Sequence, residues 1–204
     1  MPEEGRNVGN IIDDQTRESK EAKQANSFLR RTLENPNLNQ YWYSAYTIDV
    51  LVKEIEDNAS KAAFLSTPSL YFSLNDKQLK DNSYVFDVDP QWQKHPNFVR
   101  WDFNDPVNIP ECMWHAFDLV LIDPPFITPE VWSKYAEATI LLLAPGGKII
   151  LSTVQERGEL LKQLLKVEPQ VFEPSIPKLV YQYTLFANYQ SRHLSLHNPE
   201  IYQH

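Results

Sequence analysis

The chain has 204 residues, enough for one domain with a sizeable core. Its net charge of −8 disfavours tracking along a polyphosphate, since nucleic-acid binding draws much of its affinity from Lys and Arg. The single cysteine, Cys112, excludes an intrachain disulfide and a cysteine-based zinc site, and no run of about 18 apolar residues reads as a membrane span.

Residues 1–24, beginning "MPEEGRNVGN", are polar and lack an apolar signal core, so a loosely ordered or disordered arm on a cytoplasmic protein is expected. A short helix is expected from Asn26 to Glu34, ending before Pro36. "SAYTIDVLVKEIEDN" (44–58) places Ile48, Leu51, Val52 and Ile55 on one helical face, with Ser44 as N-cap. Strands are expected at 61–67, 83–89, 97–103 and 117–123. The last, "FDLVLID", is a near-continuous apolar run suited to burial on both faces. A helix follows at 129–143 with Pro129 in its first turn, then a strand at 146–153 after a Gly-Gly turn. A helix at 156–167 and a strand at 181–189 complete the domain, taken as 25–190, with 191–204 as a polar tail. Strands alternating with helices predict an α/β fold with a mainly parallel sheet covered on both faces. The connection between Pro90 and Phe98 is too short for a good helix.

Ligands of open α/β sheets sit at the carboxyl ends of the strands. Here the first strand ends in "STPSL" (66–70), the second at Asp87 and Asp89, the third at Asp102 and the fourth in "DPPF" (123–126). Three successive strands ending in an acid favour a nucleoside-containing cofactor, although Asp is common in turns for its own reasons. The usual glycine-rich phosphate turn is absent, because no glycine lies between Gly9 and Gly146.

Asp123 is an acceptor at a strand end. Pro124 and Pro125 have no N–H and a fixed φ, so their carbonyls point in set directions, and Phe126 adds a ring face. Such a pocket suits a group with several N–H donors, namely an amine or an exocyclic amino group. A rigid strand-to-helix turn would explain the same prolines without any chemistry.

"DPPF" resembles the Asp/Asn-Pro-Pro-aromatic motif of S-adenosylmethionine-dependent amino-group methyltransferases. With "NQYWYS" (39–44), "STPSLY" (66–71), "YVFDVD" (84–89) and "DFNDP" (102–106), the chain is similar over about residues 26–190 to one eukaryotic family. That family methylates lysine in translation elongation factor 1A and long carried the label of N6-adenine DNA methyltransferases. Its first loop is likewise Ser/Pro-containing, whereas Phe126 stands where members often carry Tyr. The resemblance implies a Rossmann-like methyltransferase fold of about seven strands with helices on both faces, and S-adenosylmethionine as cofactor. It implies a cofactor loop at Ser66 and Pro68, ribose binding by Asp89 or Asp87, and adenine near Asp102 and Phe103. Asp123, Pro124, Pro125 and Phe126 would hold the target amine, Asp123 bordering the cofactor as well. Trp42, Tyr43 and Ser44 would close the pocket over the methyl donor, Trp42 and Tyr43 on the substrate side and Ser44 on the cofactor side. The expected partner is a protein, elongation factor 1A, bound by a monomer with no stable nucleic-acid or membrane contact. The alternatives are N6-adenine methylation of DNA or RNA and a non-catalytic cofactor-binding scaffold.

No metal site is expected. His193, His197 and Glu200 have helical spacing, but Asn198-Pro199 interrupts it and the ligand count is low.

Overall fold

A computed structural model describes residues 26–201 of the chain, so the expected arm at 1–24 lies outside the described residues. Helix α1 (Ser27–Arg31) is capped by the Asn26 side chain, and α2 (Ala45–Asn58) by Ser44, whose Oγ accepts from the Thr47 amide at 3.0 Å. The strands that follow are β1 (Ala62–Leu65), β2 (Tyr84–Asp87), β3 (Phe98–Arg100) and β4 (Phe117–Ile122). Between β1 and β2 lie α3 (Pro68–Ser73) and α4 (Lys77–Asn82), while β2 and β3 are joined by only a 3-10 turn at Pro90–Trp92. After α5 (Pro129–Leu142) come β5 (Leu143–Thr153), α6 (Gly158–Leu165), β6 (Glu168–Pro169) and β7 (Thr184–Ala187).

The seven strands form one sheet in the order β3-β2-β1-β4-β5-β7-β6, parallel except at β7, which is antiparallel to both β5 and β6. Side chains alternate across it with the period of two that a strand imposes. Ala62, Phe64, Leu119, Leu121 and Ile150 pack with Ile48, Leu51, Val52 and Ile55 of α2 and with Leu70 and Tyr71 of α3. Ala63, Leu65, Val120, Ile122 and Leu151 pack with Trp132, Tyr135 and Ala136 of α5 and Leu161 and Leu165 of α6. Burying such side chains stabilises the fold by about 1.5–3 kcal/mol each, enough to specify which face each helix covers.

Three expectations are corrected. The strands at 61–67 and 181–189 are shorter, four residues each, and after the helix expected at 156–167 a further strand, β6, of only two residues had not been anticipated. Strand β5 starts three residues early: Leu143 pairs with Phe117, then the register jumps to Lys148 opposite Leu119. Gly146 takes φ +74° in that jump, and a Cβ on Gly147 would meet the Leu143 side chain at 2.6 Å. The C-terminal segment is no loose tail over 191–201. Leu194 is fully buried beside Phe172 and Ile150, and the Asn198 side chain donates to the Glu173 carbonyl at 2.8 Å. One leucine and a set of side-chain hydrogen bonds anchor it, which a polar composition conceals.

Leu194→Ala is expected to lower stability by about 2–4 kcal/mol, as a buried leucine truncation does. Urea denaturation checks this; an unchanged midpoint would mean the segment contributes no packing.

Candidate active site

The strand order reverses between β1 and β4, and the loops leaving these two strands and β2 enclose one cleft. It is an open cleft, whose space of about 690 Å³ includes the solvent at its mouth. Its walls include Trp42, Ser66, Pro68, Asp87, Asp123, Pro124 and Pro125, all singled out from the sequence.

The loop after β1 shows how the fold dispenses with glycine. Ser66 itself takes the left-handed conformation, φ +56°, that a glycine normally supplies at such a turn. Its amide donates to the Phe86 carbonyl at 2.9 Å and its hydroxyl lies 2.7 Å from the Tyr135 hydroxyl, so bonds on both sides hold the strained residue. Beside it, the Thr67 hydroxyl is buried with no partner, and so is the indole N–H of Trp42, which lines the cleft.

At the end of β2, the Asp89 amide donates to Asp87 Oδ1 at 2.8 Å. Asp89 accepts from the Gln40 side chain at 2.8 Å and the Gln91 amide at 3.0 Å, so its carboxylate is engaged by protein donors. Asp87 faces the cleft and Asp89 does not line it. Burial, with the neighbouring Asp89 charge, raises the Asp87 pKa to about 6 despite its backbone bonds.

The DPPF stretch is not the start of α5. That helix begins at Pro129, capped by Thr128, so Pro124 and Pro125 serve a separate loop. The Asp123 amide extends the sheet ladder to the Leu65 carbonyl at 3.2 Å, and Asp123 Oδ1 accepts from the Ser152 hydroxyl at 2.8 Å. Burial raises its pKa to about 7, while the Ser152 bond and Tyr43 behind it pull the other way. Asn39 donates its side-chain amide to the Pro125 carbonyl, and no backbone donor among the described residues meets the carbonyl of Pro124.

Not every anticipated residue converges on the cleft. Tyr43 lies beneath it, its hydroxyl 2.8 Å from Ser152 Oγ. Ser44 serves as helix cap and donates to Glu200, away from the cleft lining. Phe126 is half exposed and packs edge-on against Phe103 at 6.3 Å, while Asp102 is exposed and holds Asn104. This outer group touches the cleft through Tyr135, 6.0 Å from the Phe103 ring and bonded to Ser66. Asn39, Gln40, Tyr41, Ser152, Ile176, Leu179 and Tyr183 were not anticipated as site residues. The first three sit inside the quoted "NQYWYS", a signal that pointed to the right loop. No three acids, cysteines or histidines among the described residues cluster as a metal site: His193 pairs with Asp57 at 2.7 Å and Glu200 with Ser44.

The cleft fits S-adenosylmethionine. An acid faces it at the end of β2, the unpartnered indole N–H of Trp42 lies in its wall, and Phe103 lies beyond Tyr135 on its outer side.

Both acids titrate above their usual range, so the folded state holds protons that the unfolded state would release. Their contribution to stability is therefore complete below about pH 4 and is lost as pH rises through about 6 for Asp87 and about 7 for Asp123. Asp123→Asn is expected to flatten stability against pH between about 4 and 7, measured by urea denaturation. Curves of the same slope for both proteins would contradict the buried titration.

Known proteins agree with this geometry. A family profile described as "Probable N6-adenine methyltransferase" matches residues 34–191. EEF1A lysine methyltransferase 1 of Mus musculus is 36% identical over 165 residues, 78% of this chain and 76% of that one. A protein-lysine N-methyltransferase of Dictyostelium discoideum is 29% identical over 89% of both chains. Among solved structures, the branched-chain polyamine synthase C9 mutein of Thermus thermophilus superposes with a TM-score of 0.59 at 12% identity. It covers 83% of this chain and 63% of that one, which supports the fold alone. With 36% identity across most of both chains, a seven-stranded Rossmann-like sheet and a cleft bounded by Asp87 and by Asp123, Pro124 and Pro125, the chain belongs to the elongation factor 1A lysine methyltransferase family.

Proposed function

We propose that this chain transfers the methyl group of S-adenosylmethionine to a lysine side-chain amine of a protein, translation elongation factor 1A, acting as a cytoplasmic monomer. The observation that carries the reading is the set of acceptors at the end of β4. Asp123 and Pro124 line the same cleft as Asp87; Pro124 has no N–H, and the Asp123 amide is taken up by the Leu65 carbonyl, so neither turns a free donor towards an incoming amine.

When bound, S-adenosylmethionine supplies a methyl group made electrophilic by its sulfonium, and the protein contributes binding and orientation. Asp87 is assigned to the ribose hydroxyls, with Asp89 holding Gln40 in the wall. Trp42, which lines the cleft, has an indole N–H with no protein partner, a donor for an acceptor atom of the cofactor. Asp102, Phe103 and Tyr135 extend towards the adenine.

A lysine amine is protonated below about pH 10.4 in water and must lose a proton before it attacks. Desolvation in the cleft lowers that value. Asp123 and Pro124 then accept the remaining N–H bonds, which leaves the lone pair to face the methyl group. Because Asn39 already occupies the Pro125 carbonyl, Pro125 fixes the loop and does not hold the amine.

The mouth of the cleft suits a macromolecule. Leu179 and Tyr183 line it, and between them Val180 and Tyr181 are 92% and 67% exposed. Phe126, beside Pro125, is also exposed. An apolar rim on a chain of net charge −8 favours a basic protein over a polyphosphate. Replacing Val180 and Tyr181 together with Ser is expected to raise KM for elongation factor 1A about tenfold or more while cofactor affinity holds. Steady-state kinetics with both substrates checks this, and an unchanged KM would remove the rim from recognition.

The two acids divide the labour. Asp87→Ala is expected to weaken cofactor binding by about 1–3 kcal/mol, the cost of leaving bonded groups unsatisfied. Asp123→Ala is expected to abolish turnover with cofactor affinity nearly intact. Calorimetric titration with S-adenosylmethionine beside a transfer assay tests the pair; equal loss of binding in both variants would overturn the assignment, and binding without transfer by the unaltered protein would favour a scaffold.

A further inference from the structure

Beneath the acceptor pocket runs a chain of three side chains of which the transfer, as described, uses only the last. The β4–β5 register pairs Ile122 with Leu151, which brings Ser152 opposite Asp123. Ser152 is 1% exposed, and its single hydroxyl proton goes to Asp123 Oδ1 at 2.8 Å. Its lone pairs are then left to accept, and the Tyr43 hydroxyl lies 2.8 Å away, itself buried at 3%. With Asp123 ionised the direction of the chain follows: Ser152 donates to the carboxylate, and Tyr43 donates to Ser152.

We propose that Ser152 and Tyr43 are positioning residues that clamp Oδ1 of Asp123, turn its second oxygen towards the incoming amine and set the pH at which the carboxylate becomes an acceptor. This rests on the acceptor role assigned to Asp123 above.

The surroundings make the clamp consequential. The other titratable groups facing Asp123 are Tyr183, from the segment entering β7, and Tyr135 of α5, with Asp87 on the same cleft wall. These are phenols and an acid, none of which stabilises a carboxylate charge. Arg157, on the turn after β5, donates to the Ile127 carbonyl at 2.8 Å. Burial disfavours the ionised form, so the hydroxyls of Ser152 and Tyr43 are what oppose it. Tyr43 stays a donor throughout, because burial and the Asp123 charge hold its own ionisation well above the usual phenol range. Without the Ser152 hydroxyl, Asp123 loses a charge-assisted bond and Tyr43 loses its acceptor.

The test compares the unaltered enzyme with Ser152→Ala, Ser152→Thr and Tyr43→Phe by two readouts. One is the pH–rate profile on elongation factor 1A; the other is a carbon NMR titration of the Asp123 carboxylate, which needs no turnover. Ser152→Ala is expected to move the Asp123 midpoint upward by about one unit, a tenfold loss of the ionised form below it. Its turnover near pH 6 should fall about tenfold, with S-adenosylmethionine affinity within about twofold. Ser152→Thr, which keeps the hydroxyl, should restore the midpoint, and Tyr43→Phe should shift it in the same direction by less. Should Ser152→Ala not fold, Tyr43→Phe reads the same clamp. An Asp123 midpoint unmoved in the variants would overturn the inference. If the unaltered enzyme leaves elongation factor 1A unmethylated, the proposed function fails, while the NMR midpoint still decides the clamp.

Discussion

Strands β1 and β4 run side by side where the strand order reverses, and the Asp123 amide closes their ladder on the Leu65 carbonyl. That contact sets the first residue of the DPPF loop one hydrogen bond away from the start of the Ser66 loop. Because both strands are buried on both faces, a slip of one residue would turn Phe64 and Leu121 to the wrong side of the sheet. Packing thus fixes the register, and the register brings the acceptor loop and the cofactor loop together. The chemistry depends on their separation, and neither loop sets it.

Around this pairing, the chain supplies locally what the fold needs. A glycine-rich turn gives many nucleotide folds their left-handed step; here Ser66 takes it and is held by Phe86 and Tyr135. Tyr135 in turn belongs to α5, whose inner face packs on β4 and β1. A strained residue in the first loop is therefore fastened to the helix that follows the DPPF loop, and the two sides of the cleft share one support. The C-terminal segment braces the third wall. Asn198 holds the Glu173 carbonyl and Glu200 meets Ser44 at the head of α2, next to Trp42 and Tyr43.

The strand and helix pattern was legible because burial writes itself in periodicity: β4 as a continuous apolar run, α2 as an apolar stripe with Ser44 as its cap. Strand ends were legible as well, since Asp87, Asp123 and the Ser66 loop interrupt apolar runs. What escaped was set by tertiary contact. Ser152 reads as one more polar residue at the end of an apolar strand, and only the register with β4 gives it Asp123 as a partner. Tyr183 and Leu179 sit in a segment without regular structure, so no period marks which of its residues face inward. Of the two acids the resemblance pointed first to Asp89 for the ribose, but Gln40, distant in the chain, engages Asp89 and Asp87 is the one that lines the cleft. The family resemblance pointed to Ser44 at the cofactor, whereas its hydroxyl serves the helix end and Glu200.

The central claim is that an Asp123-centred pocket presents a protein lysine, and not a nucleobase, to the methyl donor. Duplex bases would have to be flipped out at a cost of a few kcal/mol and held by contacts to the flanking backbone, for which a chain of net charge −8 is poorly suited. The most direct measurement incubates the protein with methyl-labelled S-adenosylmethionine in a cell lysate, divides the product between protease and nuclease, and sequences the labelled band by mass spectrometry. The account predicts label that resists nuclease, disappears with protease and maps to a lysine of elongation factor 1A. Label that survives protease and disappears with nuclease would contradict it.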